Sequence, residues 1–144
     1  MRLVIEADDF EAAVRFYRDA LGLREQAAFE GDGDARVVIL DAGRATLELA
    51  NPAQKRMIDS VEAGGHVSDR IRVAFEVADT EHSTTALRAA GAELIAPPTR
   101  TPWRSLNSRL NAPGPLQLTL FQELHDLDTR RQLDDFGTDQ DRRR

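Results

Sequence analysis

Residues 2–11, RLVIEADDFE, return seventy positions later as RVAFEVADTE at 72–81. Arg2 falls on Arg72, Glu6 on Glu76, Asp9 on Asp79 and Glu11 on Glu81. With one more residue of offset, LEL at 47–49 falls on LTL at 118–120. Identity between the halves is low, but the order of elements they encode is the same.

Residues 2–7 alternate in the manner of a strand, and Asp8 or Asp9 is placed to cap the following helix by accepting backbone N–H bonds. That helix, FEAAVRFYRDAL at 10–21, sets Phe10, Val14, Tyr17 and Leu21 on one stripe with Ala13 beside them, and Gly22 ends it. Three strands follow at 23–29, 35–42 and 45–50, separated by glycine-bearing turns. The second half repeats the plan with a strand at 71–78, a helix at 80–91 and strands at 92–96, 105–112 and 115–123. Residues 52–69 read as a linker with one short helix and a Gly-Gly break. Residues 125–144 read as a charged tail that adds little to the core. The expected division is one domain over 1–124, with modules at 1–51 and 70–124.

A chain of 144 residues suits one domain, and at that size about 68–70% of the unfolded surface is buried without a metal or disulfide to help. Cysteine is absent, which excludes thiolate metal sites, thiol nucleophiles and disulfides. The net charge of −6 argues against nucleic acid and anionic membranes as partners. The Arg142 to Arg144 cluster reads as part of a solvated tail. No leader is legible and no apolar run approaches the ~18 residues of a membrane span, so a soluble, cytoplasmic protein is expected.

A strand, a helix and three strands, used twice, resembles the vicinal oxygen chelate superfamily, which holds glyoxalase I, bleomycin resistance proteins and extradiol dioxygenases. The resemblance rests on DDFEAAVRFYRDALGL at 8–23, ATLELA at 45–50, RVAFEVAD at 72–79 and GPLQLTLFQE at 114–123. It implies an α+β fold of two tandem βαβββ modules forming an open, curved mixed sheet around a cavity, with helices outside. Strand alternation then assigns the faces. Arg2, Val4 and Glu6 turn inward, as do Thr46 and Glu48. Arg72, Ala74 and Glu76 follow, then Gln117, Thr119 and Phe121. Leu3, Ile5, Leu47, Leu49, Val73, Phe75, Val77, Leu118 and Leu120 are the expected core.

Metal-dependent members of that superfamily place ligands at four equivalent points, and carried over these are Arg2, Glu48, Arg72 and Thr119. Only Glu48 is an ordinary ligand, because a guanidinium has no usable lone pair and repels a divalent cation. A carboxylate and a hydroxyl fall short of the three protein ligands of a catalytic zinc site. The expectation is that the metal has been lost and that no cofactor is held; the alternative is one divalent metal ion.

Two roles are open to the arginines. One is a buried ion cluster with Glu48 between Arg2 and Arg72, from which removing one partner costs roughly 3–5 kcal/mol. The other is capture of an anionic or carbonyl-bearing small organic molecule by spare guanidinium donors. Glu6 and Glu76 read either as an acid/base pair or as partners for the arginines. Trp103 suits stacking on a flat ligand, a lid over Phe121, or a dimer contact. Asn107 and Arg109 share a face with Ser105 and suit polar anchors at the cavity rim. His66, His82 and His125 fall in the linker, on a helix surface and in the tail, so no histidine metal site assembles on the strands. The leading expectation is a metal-independent binder of a small organic molecule, resembling the bleomycin resistance type and forming a homodimer. The first rival is a metal-dependent lyase, isomerase or dioxygenase using Glu48. The second is an accessory protein whose cavity is filled by its own side chains.

Overall fold

The two arginine-led strands meet at the centre of one sheet. In the computed structural model, which describes residues 1–114, 116–126 and 129, β1 (Arg2–Glu6) pairs antiparallel with β5 (Ile71–Glu76), setting Arg2 opposite Ala74 and Val4 opposite Arg72. The first half adds β2 (Glu25–Gly31), β3 (Ala35–Asp41) and β4 (Thr46–Ala50). The second adds β6 (Glu93–Arg100), β7 (Ser105–Ala112) and β8 (Leu116–Glu123). Their order across the sheet is β2-β3-β4-β1-β5-β8-β7-β6. Each module closes by a parallel pairing of its first and last strand, β1 with β4 and β5 with β8.

Both module helices start where the sequence places them. The Asp9 carboxylate accepts from Ala12 N at 2.9 Å and that of Asp79 from His82 N at 2.9 Å, satisfying donors that a helix start leaves open. Helix α1 (Phe10–Val14) packs Phe10 and Val14 against Ala28, Val38, Leu40, Leu47 and Leu49, with Leu3 and Ile5 partly buried beneath. Each fully buried leucine there contributes about 1.5–3 kcal/mol. Beyond Val14 the helix widens into a π-helix over Arg15–Ala20, in which Leu21 N donates to Phe16 O five residues back. That spacing breaks the expected stripe: Tyr17 still packs on the core, but Leu21 is turned out to 60% exposure.

Helix α3 (Thr80–Ala89) lies over β6, β7 and β8 rather than over β5. Phe75, expected in the core, is therefore 39% exposed, as is Ile71 at 52% on the same face of β5. Beneath α3 the packing is partly polar. Thr84 Oγ1 and Ser108 Oγ lie 2.7 Å apart, and Thr80 Oγ1 donates to Leu106 O at 3.0 Å. Val77 is half-buried, and Leu110 and Leu120 supply the apolar part.

The linker forms α2 (Pro52–Ala63), capped by Asn51, whose side chain accepts from Gln54 N at 2.8 Å and from Arg36 N at 3.1 Å. Gly64 ends it in the left-handed conformation and Gly65 also has positive φ. Unlike α1 and α3, α2 lies across the concave face of the sheet. The expected tail begins at the last described residues and otherwise falls outside them.

Candidate functional site

Alternation along the strands brings ten predicted side chains toward one face or its rim, but they form separate groups. Arg2, leading β1, extends Nη2 to Glu123 Oε1 at 2.8 Å and Nη1 to Glu48 Oε1 at 3.5 Å, and its Cζ lies 4.1 Å from the centroid of the Phe121 ring. Glu48 Oε1 is buried and receives no hydrogen bond from the described residues, so Arg2 is its nearest cation, with Arg72 acting on it from farther off.

Arg72 sits two strands away from Glu48, with Val4 between them in the register. The expected cluster with Glu48 in the middle therefore does not form. Arg72 Nη1 instead donates to Thr119 Oγ1 at 2.7 Å, and no carboxylate of the described residues lies within ion-pair distance. The side chain is buried, and loss of hydration pulls its pKa down, with neighbouring Arg109 acting in the same direction and Glu62 opposing.

The expected Glu6–Glu76 partnership fails for a geometric reason. In the antiparallel register Glu6 lies four residues beyond Arg2 and Glu76 two beyond Ala74 on the opposite side, about 20 Å apart at ~3.3 Å per residue. Glu6 meets Lys55 Nζ at 4.0 Å, whereas Glu76 is exposed at the other end of the face. Trp103 sits in the turn between β6 and β7, 37% exposed, beside Arg104 with φ 66°.

Asn107 and Arg109 are not rim residues. Arg109 is wholly buried at the middle of β7, and its partners come from α2: Nη1 to Asp59 Oδ1 at 2.5 Å, Nη2 to Glu62 Oε2 at 3.0 Å and Nε to Glu62 Oε2 at 3.2 Å. Asn107 Nδ2 donates to the other Glu62 oxygen at 2.7 Å. Asp59 also accepts from Ser68 N at 3.0 Å and lies 3.6 Å from Lys55 Nζ. Burial works against the Asp59 charge, but the Ser68 and Arg109 bonds outweigh it and hold its carboxyl below the ordinary carboxylate value. Asp59 and Glu62, one turn apart on a face that meets the sheet, are the site residues that the sequence reading missed. The available signal was Arg109 itself, a cation in mid-strand that needs buried acids opposite.

Helix α2 therefore occupies what an open sheet would leave as a cavity. The space remaining at its joint with β1 and β5 is about 10 Å³, bordered by Val4, Lys55, Ser68 and Arg72 among others. Gln117 Oε1 is buried nearby on β8 without a hydrogen-bond partner among the described residues.

The four carried-over ligand points do not suit a divalent cation. Two hold guanidinium groups, the Thr119 hydroxyl accepts from Arg72, and Glu48 is the one carboxylate. Among the described residues no three His, Asp or Glu side chains gather in a metal-binding arrangement.

The family model for the Glyoxalase/Bleomycin resistance protein/Dioxygenase superfamily matches residues 2–119. No curated protein matches by sequence. Among solved structures, a hypothetical protein from Bacillus halodurans C-125 superposes with a TM-score of 0.66 at 14% identity, over 87% of this chain and 94% of that one. Methylmalonyl-CoA epimerase from Mycobacterium tuberculosis gives 0.63 at 20% identity, over 89% of each chain. A mutant of 4-hydroxymandelate synthase from Streptomyces coelicolor gives 0.60 at 23% identity, over 86% of this chain and 37% of that one. At these identities the structural likenesses establish the fold.

Proposed function

Because the chain belongs to the glyoxalase/bleomycin resistance protein/dioxygenase superfamily, we propose that it is a metal-independent member that binds a small anionic organic molecule on the concave face of its sheet. The observation that carries this reading is Arg72: a buried guanidinium hydrogen-bonded to one hydroxyl and paired with no carboxylate of the described residues. Burying an unpaired charge is unfavourable, and a bound carboxylate or phosphate relieves that cost through the planar donor fork. Arg2 is a weaker anchor, since Glu123 and Glu48 already take its donors.

Binding here needs no nucleophile and no metal. The groups that act are Arg72 as the anion anchor, Thr119 fixing its guanidinium, and the Phe121 ring holding Arg2 in place. No general acid/base pair is part of the reading, given the separation of Glu6 and Glu76. A cytoplasmic homodimer belongs to the same proposal, supported by apolar side chains exposed on the outer face of β5 and β8, namely Ile71, Phe75 and Leu116. Among the described residues no helix is long and apolar enough to cross a membrane.

A second reading, in which the fold serves only for association, draws on α2 filling the concave face. Calorimetric titration with small carboxylates and phosphates, on wild type and on Arg72→Met, separates the two. The binding reading expects affinity in wild type and its loss in the variant. Elemental analysis after incubation with mixed divalent ions tests the metal: occupancy near one ion per chain would overturn the proposal and restore an enzyme using Glu48.

A further inference from the structure

We propose that α2 is a displaceable internal occupant of the concave face, and that the site beneath it takes a small dicarboxylate. The inference rests on the reading that this face holds an anion, and it names both the ligand class and what competes with it.

The side chains that α2 buries are polar: Gln54, Asp59 and Glu62. Two of them are carboxylates that clasp a guanidinium as a ligand's carboxylates do, one accepting through a single oxygen and the other accepting two N–H bonds. Both are spent on Arg109, while Arg72, close enough for Glu62 and Arg109 to act on its charge, has none. Arg72 and Arg109 flank Thr119, the first by hydrogen bond and the second as its partner across β7 and β8. With α2 lifted, two guanidiniums and the Asn107 amide face one opening with no acid between them. A molecule bearing two carboxylates matches that set, one for each arginine.

Three features show that the joint is incomplete. Gln117 Oε1, in a residue more than nine-tenths buried, has no hydrogen-bond partner among the described residues. The gap beside Arg72 has room for about one water molecule. The connector leaving α2 is Gly64-Gly65, both at positive φ, and no atom lies within 4 Å of where either Cβ would stand. Two glycines without side-chain contacts form a hinge at the helix end, and the Ser68 N–H bond to Asp59 is the tie beyond them that opening must break.

The test is hydrogen exchange on the full chain, with and without succinate or glutarate, using acetate as the single-carboxylate control, and repeated on Glu62→Gln. In wild type the amides of 53–63 are expected to exchange at least about tenfold faster than those of β7, through an opening that leaves the sheet intact. Weakening the clasp in Glu62→Gln raises the open fraction, so every anion that needs the open face gains by the same factor, about tenfold, and the dicarboxylate binds more tightly than acetate to both proteins. Exchange of α2 at the β7 rate in wild type overturns the proposal without reference to any ligand. Equal dicarboxylate affinity in wild type and Glu62→Gln overturns the competition but leaves the Arg72 anion reading standing. An opening α2 with no dicarboxylate bound to either protein overturns the ligand class. If Glu62→Gln fails to fold, Asp59→Asn takes its place, and the wild-type exchange result stands by itself.

Discussion

Arg109→Met removes the charge at the centre of the α2 joint while keeping most of the side-chain volume, so the change reads electrostatics rather than a cavity. It leaves Asp59 and Glu62, with side chains 5% and 3% exposed, facing each other without the guanidinium. Asp59 retains the Ser68 N–H and the Lys55 ammonium; Glu62 retains the Asn107 amide and the more distant Arg72 charge. Breaking a buried ion pair from one side costs about 3–5 kcal/mol. In urea, with a slope near 2 kcal/mol/M, that moves the unfolding midpoint down by about 1.5–2.5 M. Circular dichroism against urea measures it. The triple variant Arg109→Met, Asp59→Asn, Glu62→Gln should return to within about 1 kcal/mol of wild type, because neutralising the whole cluster removes the stranded charges. A midpoint shift under about 0.5 M for Arg109→Met alone would refute the reasoning, since it would mean that water already reaches the cluster.

Glu48→Gln should cost about 1 kcal/mol or less in thermal or urea unfolding, not the loss expected of a three-membered cluster, because Arg2 keeps Glu123 and Phe121. A loss above about 3 kcal/mol would show that Glu48 is tied into more than Arg2. Arg72→Met should leave stability unchanged or raise it by up to about 1 kcal/mol, a few degrees at most in Tm, while anion affinity drops at least about tenfold; a clear destabilisation would make Arg72 structural. Asp59 is depressed in the folded state, so its contribution is complete above about pH 5 and drains as pH falls through the ordinary carboxylate value near 4 and below. Asp59→Asn should flatten the stability-versus-pH curve between about pH 5 and pH 2, and a variant that keeps the wild-type slope would contradict the assignment.

Strand period and the 2–11/72–81 repeat were enough to place Thr119, Phe121, Asn107 and Arg109 on the face they occupy, since a period of two leaves only one choice once the core side is known. They could not place α2. A helix whose buried side chains are Gln54, Asp59 and Glu62 has the pattern of a solvated linker, and only a distant arginine in β7 reveals otherwise. Leu21 was misplaced because a π-helix shares its sequence signature with an α-helix until the fifth-residue bond is seen. Phe75 was misplaced because alternation tells which face a side chain takes but not whether a helix covers it.

The position of β1 at the middle of the sheet has a consequence for synthesis. One edge of β1 is filled by β4 within its own module, but the other waits for β5, whose first residue leaves the ribosome 65 positions after Glu6. At about 5–20 residues per second that edge stays open for roughly 3–13 s. During that interval a neighbouring nascent chain presents an identical open edge, so on a polysome pairing between chains competes with closure within one.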